Sequence, residues 1–179
     1  MLQGQTMRKV ITLADGSEIT IRPIQPDDAG IEQAFVQQLS PESKRRRFLA
    51  AIRELTPRAI ERFTRPEYPQ EQALIATISD MGEEKEIGVA RYAGDLDSAK
   101  AEFAIVIADD WQGKGLGPRL MRELFDAAAE AGMRHIEGVV LRDNRHMLQM
   151  VRDLGFHVQG HPEEPELAYV CVDLPLPKD

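Results

Sequence analysis

The sequence predicts an α+β fold in one domain, a mixed sheet with helices packed against it, on three observations. The chain opens with two alternating runs around a turn dipeptide. After residue 70 it changes to strand-like runs, and it closes on the order strand, helix, strand, helix, strand. A length of 179 residues suffices for one hydrophobic core and is short for two.

Each element follows from local chemistry. "KVITLADGSEITIRPI" pivots on Asp15-Gly16, a pair suited to a β-hairpin turn. "QPDDAGIEQAFVQQL" sets Ile31, Phe35 and Leu39 on one helical face. Ser40-Pro41 and Thr56-Pro57 each place a capping side chain before a proline at the first helical position, so two short helices are expected there. "ALIATIS", "EIGVARYAG" and "AEFAIVIA" read as a three-stranded meander joined by loops around "DMGEEK" and "DLDSAK". "PRLMRELFDAAAEAG" forms a helix with Met121, Leu124, Phe125 and Ala128 on one face and Gly132 at its end. "HIEGVVL", "RDNRHMLQMVRDLGF" and "ELAYVCVDL" complete the order as strand, helix and strand. Between the last elements, "QGHPEEPEL" is expected to be a mobile loop; Glu163 and Glu164 either border an acceptor site or form an ordinary acidic surface. Residues 1–8 are expected to be flexible, and no internal repeat or linker divides the chain.

Composition narrows the function. With 42% hydrophobic and 29% charged residues the chain has the balance of a soluble globular protein. No apolar run approaches the roughly 18 residues of a spanning helix, and "MLQGQTMRKV" lacks a signal peptide's apolar stretch, so a cytoplasmic protein without membrane contact is expected. A net charge of −8 argues against nucleic acid as a partner. "SKRRRF" is a local exception that suits phosphate or an acidic partner, but four consecutive cations point all round a helix, and a solvated turn is the favoured reading. The single cysteine, Cys171, lies in "AYVCVDL" and reads as a buried core thiol. His135, His146, His157 and His161 are too dispersed for a triad or a metal site. Trp111 is expected to pack beneath the loop that follows it.

The segment "DDWQGKGLGPRLM" carries the chemistry. The first amides of a helix lack partners and bear partial positive charge, and glycines let an anion approach them closely. A phosphate-bearing ligand is therefore expected, the alternative being a tight turn without one. A P-loop would need Ser or Thr after the Gly-Lys pair, and a dinucleotide fingerprint would need glycine where Pro118 stands. Neither common nucleotide motif fits. Pro118 also removes one amide, at a position where proline costs a helix little.

Gln112-Gly113-Lys114-Gly115-Leu116-Gly117 resembles the Q/R-x-x-G-x-G/A signature of the GCN5-related N-acetyltransferase (GNAT) superfamily, and Asn144, Gly155 and Phe156 resemble its later N…G-F segment. "LSPESKRRRF", "TPRAIERF", "ALIA", "GVARY" and "AEFAIVIADDWQGKGLG" are together similar to the catalytic domain of bacterial protein lysine acetyltransferases that modify acyl-CoA synthetases. The resemblance implies the GNAT fold, a mixed and mostly antiparallel sheet with helices on both faces and a splayed central strand pair. It implies acetyl-CoA as cosubstrate and no metal. Its pyrophosphate would lie on the loop from Gln112 to Gly117 and its pantetheine along Ile105, Val106 and Ile107, whose amides would polarise the thioester carbonyl. Asn144 would bond pantetheine or merely cap its helix; Lys114, Arg119 and Arg145 would pair with phosphates or simply be solvated.

An amine with a pKa near 10.4 must shed a proton before it attacks a thioester, so a nearby carboxylate is needed as base. Glu102 is the candidate. Alternation puts Phe103, Ile105 and Ile107 on one strand face and Glu102, Ala104 and Val106 on the other. The resemblance implies the same role for the glutamate of "AEFA"; the alternative is an exposed carboxylate at a strand end. Many members place a tyrosine, as acid for the leaving thiolate, four positions before the Gly-Phe pair. Here Val151 stands there, and the acid is unassigned. Three functions remain open: acetylation of a protein lysine, with an acyl-CoA synthetase as target; acetylation of a small amine; and non-catalytic binding of acyl-CoA. Either a monomer or a dimer is compatible with all three.

Overall fold

The structure is a computed structural model that describes residues 7–176. Most of the expected flexible stretch 1–8 lies outside the described residues. Eight strands form a single sheet in the order β1-β2-β3-β4-β5-β6-β8-β7. They are β1 Lys9–Thr12, β2 Glu18–Pro23, β3 Glu71–Asp80, β4 Glu83–Asp95, β5 Lys100–Ile107, β6 His135–Leu141, β7 His157–Gly160 and β8 Leu167–Asp173. The helices are α1 Ala29–Gln38, α2 Pro41–Phe48, α3 Pro57–Phe63, α4 Leu116–Glu130 and α5 Arg145–Asp153. All neighbouring strands are antiparallel except β5 and β6. The predicted mixed α/β class is the one found.

Two apolar clusters cover the two faces of the sheet. On one, α4 and α5 bury Leu120, Met121, Leu124, Phe125, Ala128, Leu148 and Val151 against Leu74, Ala76, Phe103 and Ile136. On the other, Phe35, Val36 and Leu39 of the α1 region pack over Ala73, Ile75, Val89 and Val106. Strand β3 thus buries Leu74 and Ala76 on one side and Ala73 and Ile75 on the other. That two-sided burial is why "ALIA" is continuously apolar, with no alternation.

Several expectations shift at element ends. The predicted loop around "DMGEEK" is a two-residue hairpin, with Met81 and Gly82 at φ 51° and 84° and strand pairing resumed from Glu83. Both central residues at positive φ give the turn that matches strand twist. Charged, exposed side chains on both sides of the hairpin had hidden its strand character. Strand β7 takes Gln159 and Gly160 out of the predicted loop; it is a mostly exposed edge strand, so it carries no apolar alternation to reveal it. Cys171 is not a buried core thiol. It is half-buried, on the face of β8 opposite to Val170 and Val172, where the parity of the strand puts it.

The run Lys44 to Arg47 is also not a solvated turn. Lys44 is buried, and its Nζ donates to the carbonyls of Gln37 at 3.4 Å and Arg53 at 2.7 Å. Arg45 reaches both Glu42 (2.9 Å) and Asp143 (2.8 Å), and Arg46 pairs with Glu42 at 2.9 Å. Arg47 lies over the rings of Phe48 and Phe63, 4.8 and 6.0 Å from their centroids. Cations pointing all round the helix meet different surroundings because α2 is wedged between elements, although Arg45 and Arg46 share Glu42 of α2 itself.

Gly138 of β6 has a packing reason to be glycine. A Cβ there would meet Phe103 Cε1 at 2.7 Å. The ring cannot retreat easily, since it sits edge-on to Phe125 (5.3 Å) and Phe156 (5.5 Å). Gly138→Ala is expected to cost about 1–3 kcal/mol by overpacking, read as a lowered denaturation midpoint; an unchanged midpoint would show that the cluster can repack.

Candidate active site

The glycine segment joins β5 to α4 and is held in shape from behind. Gln112 donates from Nε2 to the Ile107 carbonyl at 2.9 Å and to Ser43 Oγ at 3.2 Å. Asp109 accepts from the Ser40 amide (2.9 Å), Ser40 Oγ (2.6 Å) and Ser43 Oγ (2.8 Å), so the loop is fastened to the start of α2. Gly113 and Gly115 have φ of 75° and 86°, a left-handed conformation that side chains resist, and open space lies where their Cβ atoms would be. Gly117 is glycine for another reason: a Cβ would come within 3.0 Å of Met150 Sδ, where α4 crosses α5.

Helices α2, α3 and α5 are capped by the side chains of Ser40, Thr56 and Asn144, whereas no side chain caps α4. Its first amides are left to solvent or a ligand, with the positive end of the helix dipole behind them. Pro118 is the third helical residue, so its missing N–H falls among groups that have no partner inside the helix.

A second feature lies beside this helix end. Strands β5 and β6 pair only at Lys100–His135, Ala101–Ile136 and Glu102–Glu137. Beyond Glu102, β5 stays paired with β4 through Ile107, and β6 stays paired with β8 through Leu141, but the two part from each other. Alternate amides of the freed stretch of β5 therefore face a gap instead of a strand. The gap opens into a cavity of about 690 Å³ lined by Ile105, Val106 and Ile107 on one side and Val139 and Val140 on the other. Glu102 stands at the fork.

The structure gathers most of the predicted residues here. Glu102, Ile105, Val106, Ile107, Gln112, Gly113, Gly115, Gly117 and Asn144 all line the one cavity. Asn144 also caps α5, its Oδ1 accepting from the Met147 amide at 3.2 Å, so its capping role is realised whatever else it binds. Four residues predicted to hold the cofactor do not line the cavity: Lys114, Leu116, Arg119 and the exposed Arg145. Lys114 turns aside, its Nζ 4.9 Å above the Trp111 ring and 3.4 Å from Asp15. Leu116 is buried in the core, and Arg119 lies outside the lining while Arg122, one turn on, is within it. Trp111 lines the cavity and packs on the core next to the loop, as its place in the sequence suggested. Val151 is fully buried among core residues, so it offers no acid; of α5, His146, Met147, Gln149, Met150 and Asp153 line the cavity instead. Ser43, Arg46, Arg47 and Leu49 of the α2 region also line it. Sequence reasoning missed these because α2 is distant in the chain; its one signal was the run of cations.

The carboxyl of Asp109 is raised by burial but lowered more by the hydroxyls and amide of Ser40 and by Ser43, and lies below the ordinary carboxylate range. A folded value below the unfolded one, about 3.9, means its stabilisation is fully present above that pH and fades as pH falls through the lowered value. Asp109→Asn is therefore expected to lower the melting temperature near neutrality, and the gap from the parent should shrink steadily as pH is taken from 5 toward 2. A gap independent of pH would show that the carboxylate charge is not what binds α2.

Fold and site together define an acetyltransferase. The GNAT domain of Streptomyces lividans PAT superposes with a TM-score of 0.85 at 29% identity, over 93% of this chain and 97% of that one. A family model described as the Acetyltransferase (GNAT) domain matches residues 18–157. An acetyltransferase of Pseudomonas aeruginosa is 37% identical over 87% of this chain and 83% of its own length. The chain belongs to the GNAT acetyltransferase family and is an acyltransferase, and the family draws its acetyl group from acetyl-CoA. The acetyltransferase Pat of Mycolicibacterium smegmatis is 28% identical over 81% of this chain, which spans only 43% of that relative's length. Among the described residues no group of His, Cys, Asp and Glu is arranged to hold a metal ion, and no helix is long and apolar enough to cross a membrane.

Proposed function

We propose that this protein transfers an acetyl group from acetyl-CoA to the side-chain amine of a protein lysine, by direct attack in a ternary complex with Glu102 as general base. The observation that carries the reading is the position of Glu102 at the fork of β5 and β6, in the same cavity as the uncapped start of α4. The amides of Leu116 and Gly117 and the flanking glycines would take the pyrophosphate. Pantetheine would fill the gap along Ile105 to Ile107, as an added strand would. An amide of that stretch would bond the thioester oxygen as negative charge develops on it.

In this arrangement the lysine ammonium gives a proton to Glu102, and the freed amine attacks the thioester carbon. The new C–N bond forms, the C–S bond breaks, and the thiolate leaves with its electron pair and takes up, through water, the second proton that the nitrogen sheds as it becomes an amide. The preference for a protein acceptor is supported by the likeness to the S. lividans PAT domain along nearly the whole chain. An acyl-CoA synthetase is the acceptor we infer, from the same likeness. We propose further that residues 1–179 make one domain.

Glu102→Gln is expected to lower kcat by about 10²-fold or more while the Kd for acetyl-CoA, measured by calorimetry, stays within about threefold. Turnover at the parent rate would remove Glu102 as the base. Labelled acetyl-CoA added to a cell extract should mark one protein band of acyl-CoA-synthetase size; label confined to small molecules would assign the acceptor to that class instead.

A further inference from the structure

The cavity has a second charged wall facing Glu102. Arg46 and Arg47 line it from α2, together with Ser43 and Leu49. The cations of this region can be accounted for one by one. Arg46 is matched by Glu42 at 2.9 Å, Arg45 by Glu42 and Asp143, and Lys44 by two carbonyls. Behind the wall, Arg91 contacts Glu32 at 3.3 Å. Glu86, buried beside Glu32, is pushed well above the ordinary carboxylate range by burial and by that neighbouring charge. Arg47 remains. Among the described residues its guanidinium has no hydrogen bond and no carboxylate within 4 Å; its contacts are the faces of Phe48 and Phe63.

That arrangement is costly unless something completes it. A guanidinium carries five N–H donors in a rigid fork suited to a carboxylate, and a partly buried one without an acceptor forgoes its hydration for nothing in return. Burial and the repulsion of Arg91 pull Arg47 down to about 10, with Glu32 and Glu102 acting the other way, so it is still a cation at neutral pH. Glu102 feels the same cavity but makes no contact with it. The cavity thus presents, besides Arg46, Arg122 and Asp153, a carboxylate and a guanidinium that do not neutralise each other by contact. An acceptor with an ammonium for the first and a carboxylate for the second would satisfy both.

We infer that Arg47 is a specificity-determining residue that binds a carboxylate carried by the acceptor next to the amine to be acetylated. The inference rests on the reading of Glu102 as the group that faces the amine. The carboxylate has two sources: an acidic side chain flanking a peptide lysine, or the carboxylate of a free amino acid. Stacking on Phe48 and Phe63 holds the guanidinium plane in place, so less side-chain freedom is lost when the fork engages.

The test uses the full chain, acetyl-CoA and matched acceptors: two lysine peptides that differ only in Glu or Gln beside the lysine, and one α-amino acid against its α-amide. The charged member of at least one pair is expected to have a kcat/KM about tenfold or more higher, a charge-assisted hydrogen bond's worth, and the difference should lie mainly in KM. A preference in the peptide pair assigns the flanking side chain as source, and one in the amino-acid pair assigns the small molecule. Arg47→Gln should bring the two members of the preferred pair within about twofold of each other, and Arg47→Lys should leave part of the preference. Equal kcat/KM in both pairs for the parent protein, which needs no variant to fold, overturns the inference. So does a preference that survives Arg47→Gln. Failure of the underlying reading is separate: it shows as parent-level turnover in Glu102→Gln, whatever the acceptor pairs do.

Discussion

The site depends on the parting of β5 and β6. Strand β6 is a full partner of β8 over seven register pairs and β5 is a full partner of β4 over eight, yet the two share only three. Each strand therefore keeps its place in the sheet while both turn unused backbone groups toward the gap between them. In a closed sheet those amides would be saturated and the inner cavity would not exist. The Phe103 ring, lodged against Gly138 and braced by Phe125 and Phe156, lies at the beginning of this separation and fills the space beneath it.

The second coupling runs through α2. Asp109 and Gln112, on the strand-to-helix segment, bond Ser40 and Ser43 at the start of α2, and Arg45 further along α2 reaches Asp143 beyond β6. One short helix thus bridges the loop that follows β5 and the loop that follows β6. Its far turn carries Arg46 and Arg47 to the wall of the same cavity. The glycine segment and this stretch of cavity wall are thus fastened to a common element. Individually, exposed ion pairs such as Arg45–Asp143 contribute little; the link to the loop is the set of three short bonds to Asp109, of which the one from Ser43 is partly buried.

Charge is distributed on the same plan. A protein with a net charge of −8 concentrates four cations in α2 and spends three of them on intramolecular partners. Beneath, Glu32, Glu86 and Arg91 form a buried polar group on the helix-covered face, with Arg91 also stacked on Phe63 at 4.3 Å. Buried ionic groups of this kind add little stability in themselves, but loss of one partner leaves an uncompensated charge. The effect is a fixed electrostatic floor under the acceptor wall.

Much of this was legible from the chain. The hairpin at Asp15-Gly16, the caps at Ser40 and Thr56, the amphipathic face of α4 and the glycine segment are local signals, set by φ preference, hydrogen bonding within a few residues, and periodicity. The alternation about Glu102 likewise told which residues share its face, and the cavity contains most of the residues that the motif suggested. Other features could not be read. Exposed strands such as β7 and the ends of β3 and β4 have no apolar side to give them away, and the face on which Cys171 lies is settled by register with β6 and β7. Whether Lys114 or Arg122 reaches the cavity depends on the angle at which α4 leaves the sheet. The sequence by itself determined the elements, the bared helix start and the carboxylate beside it, because those arise from neighbours along the chain. Only the tertiary structure decided that β5 and β6 part after Glu102 and that α2 brings Arg47 into the same cavity, because both result from contacts between segments far apart in sequence.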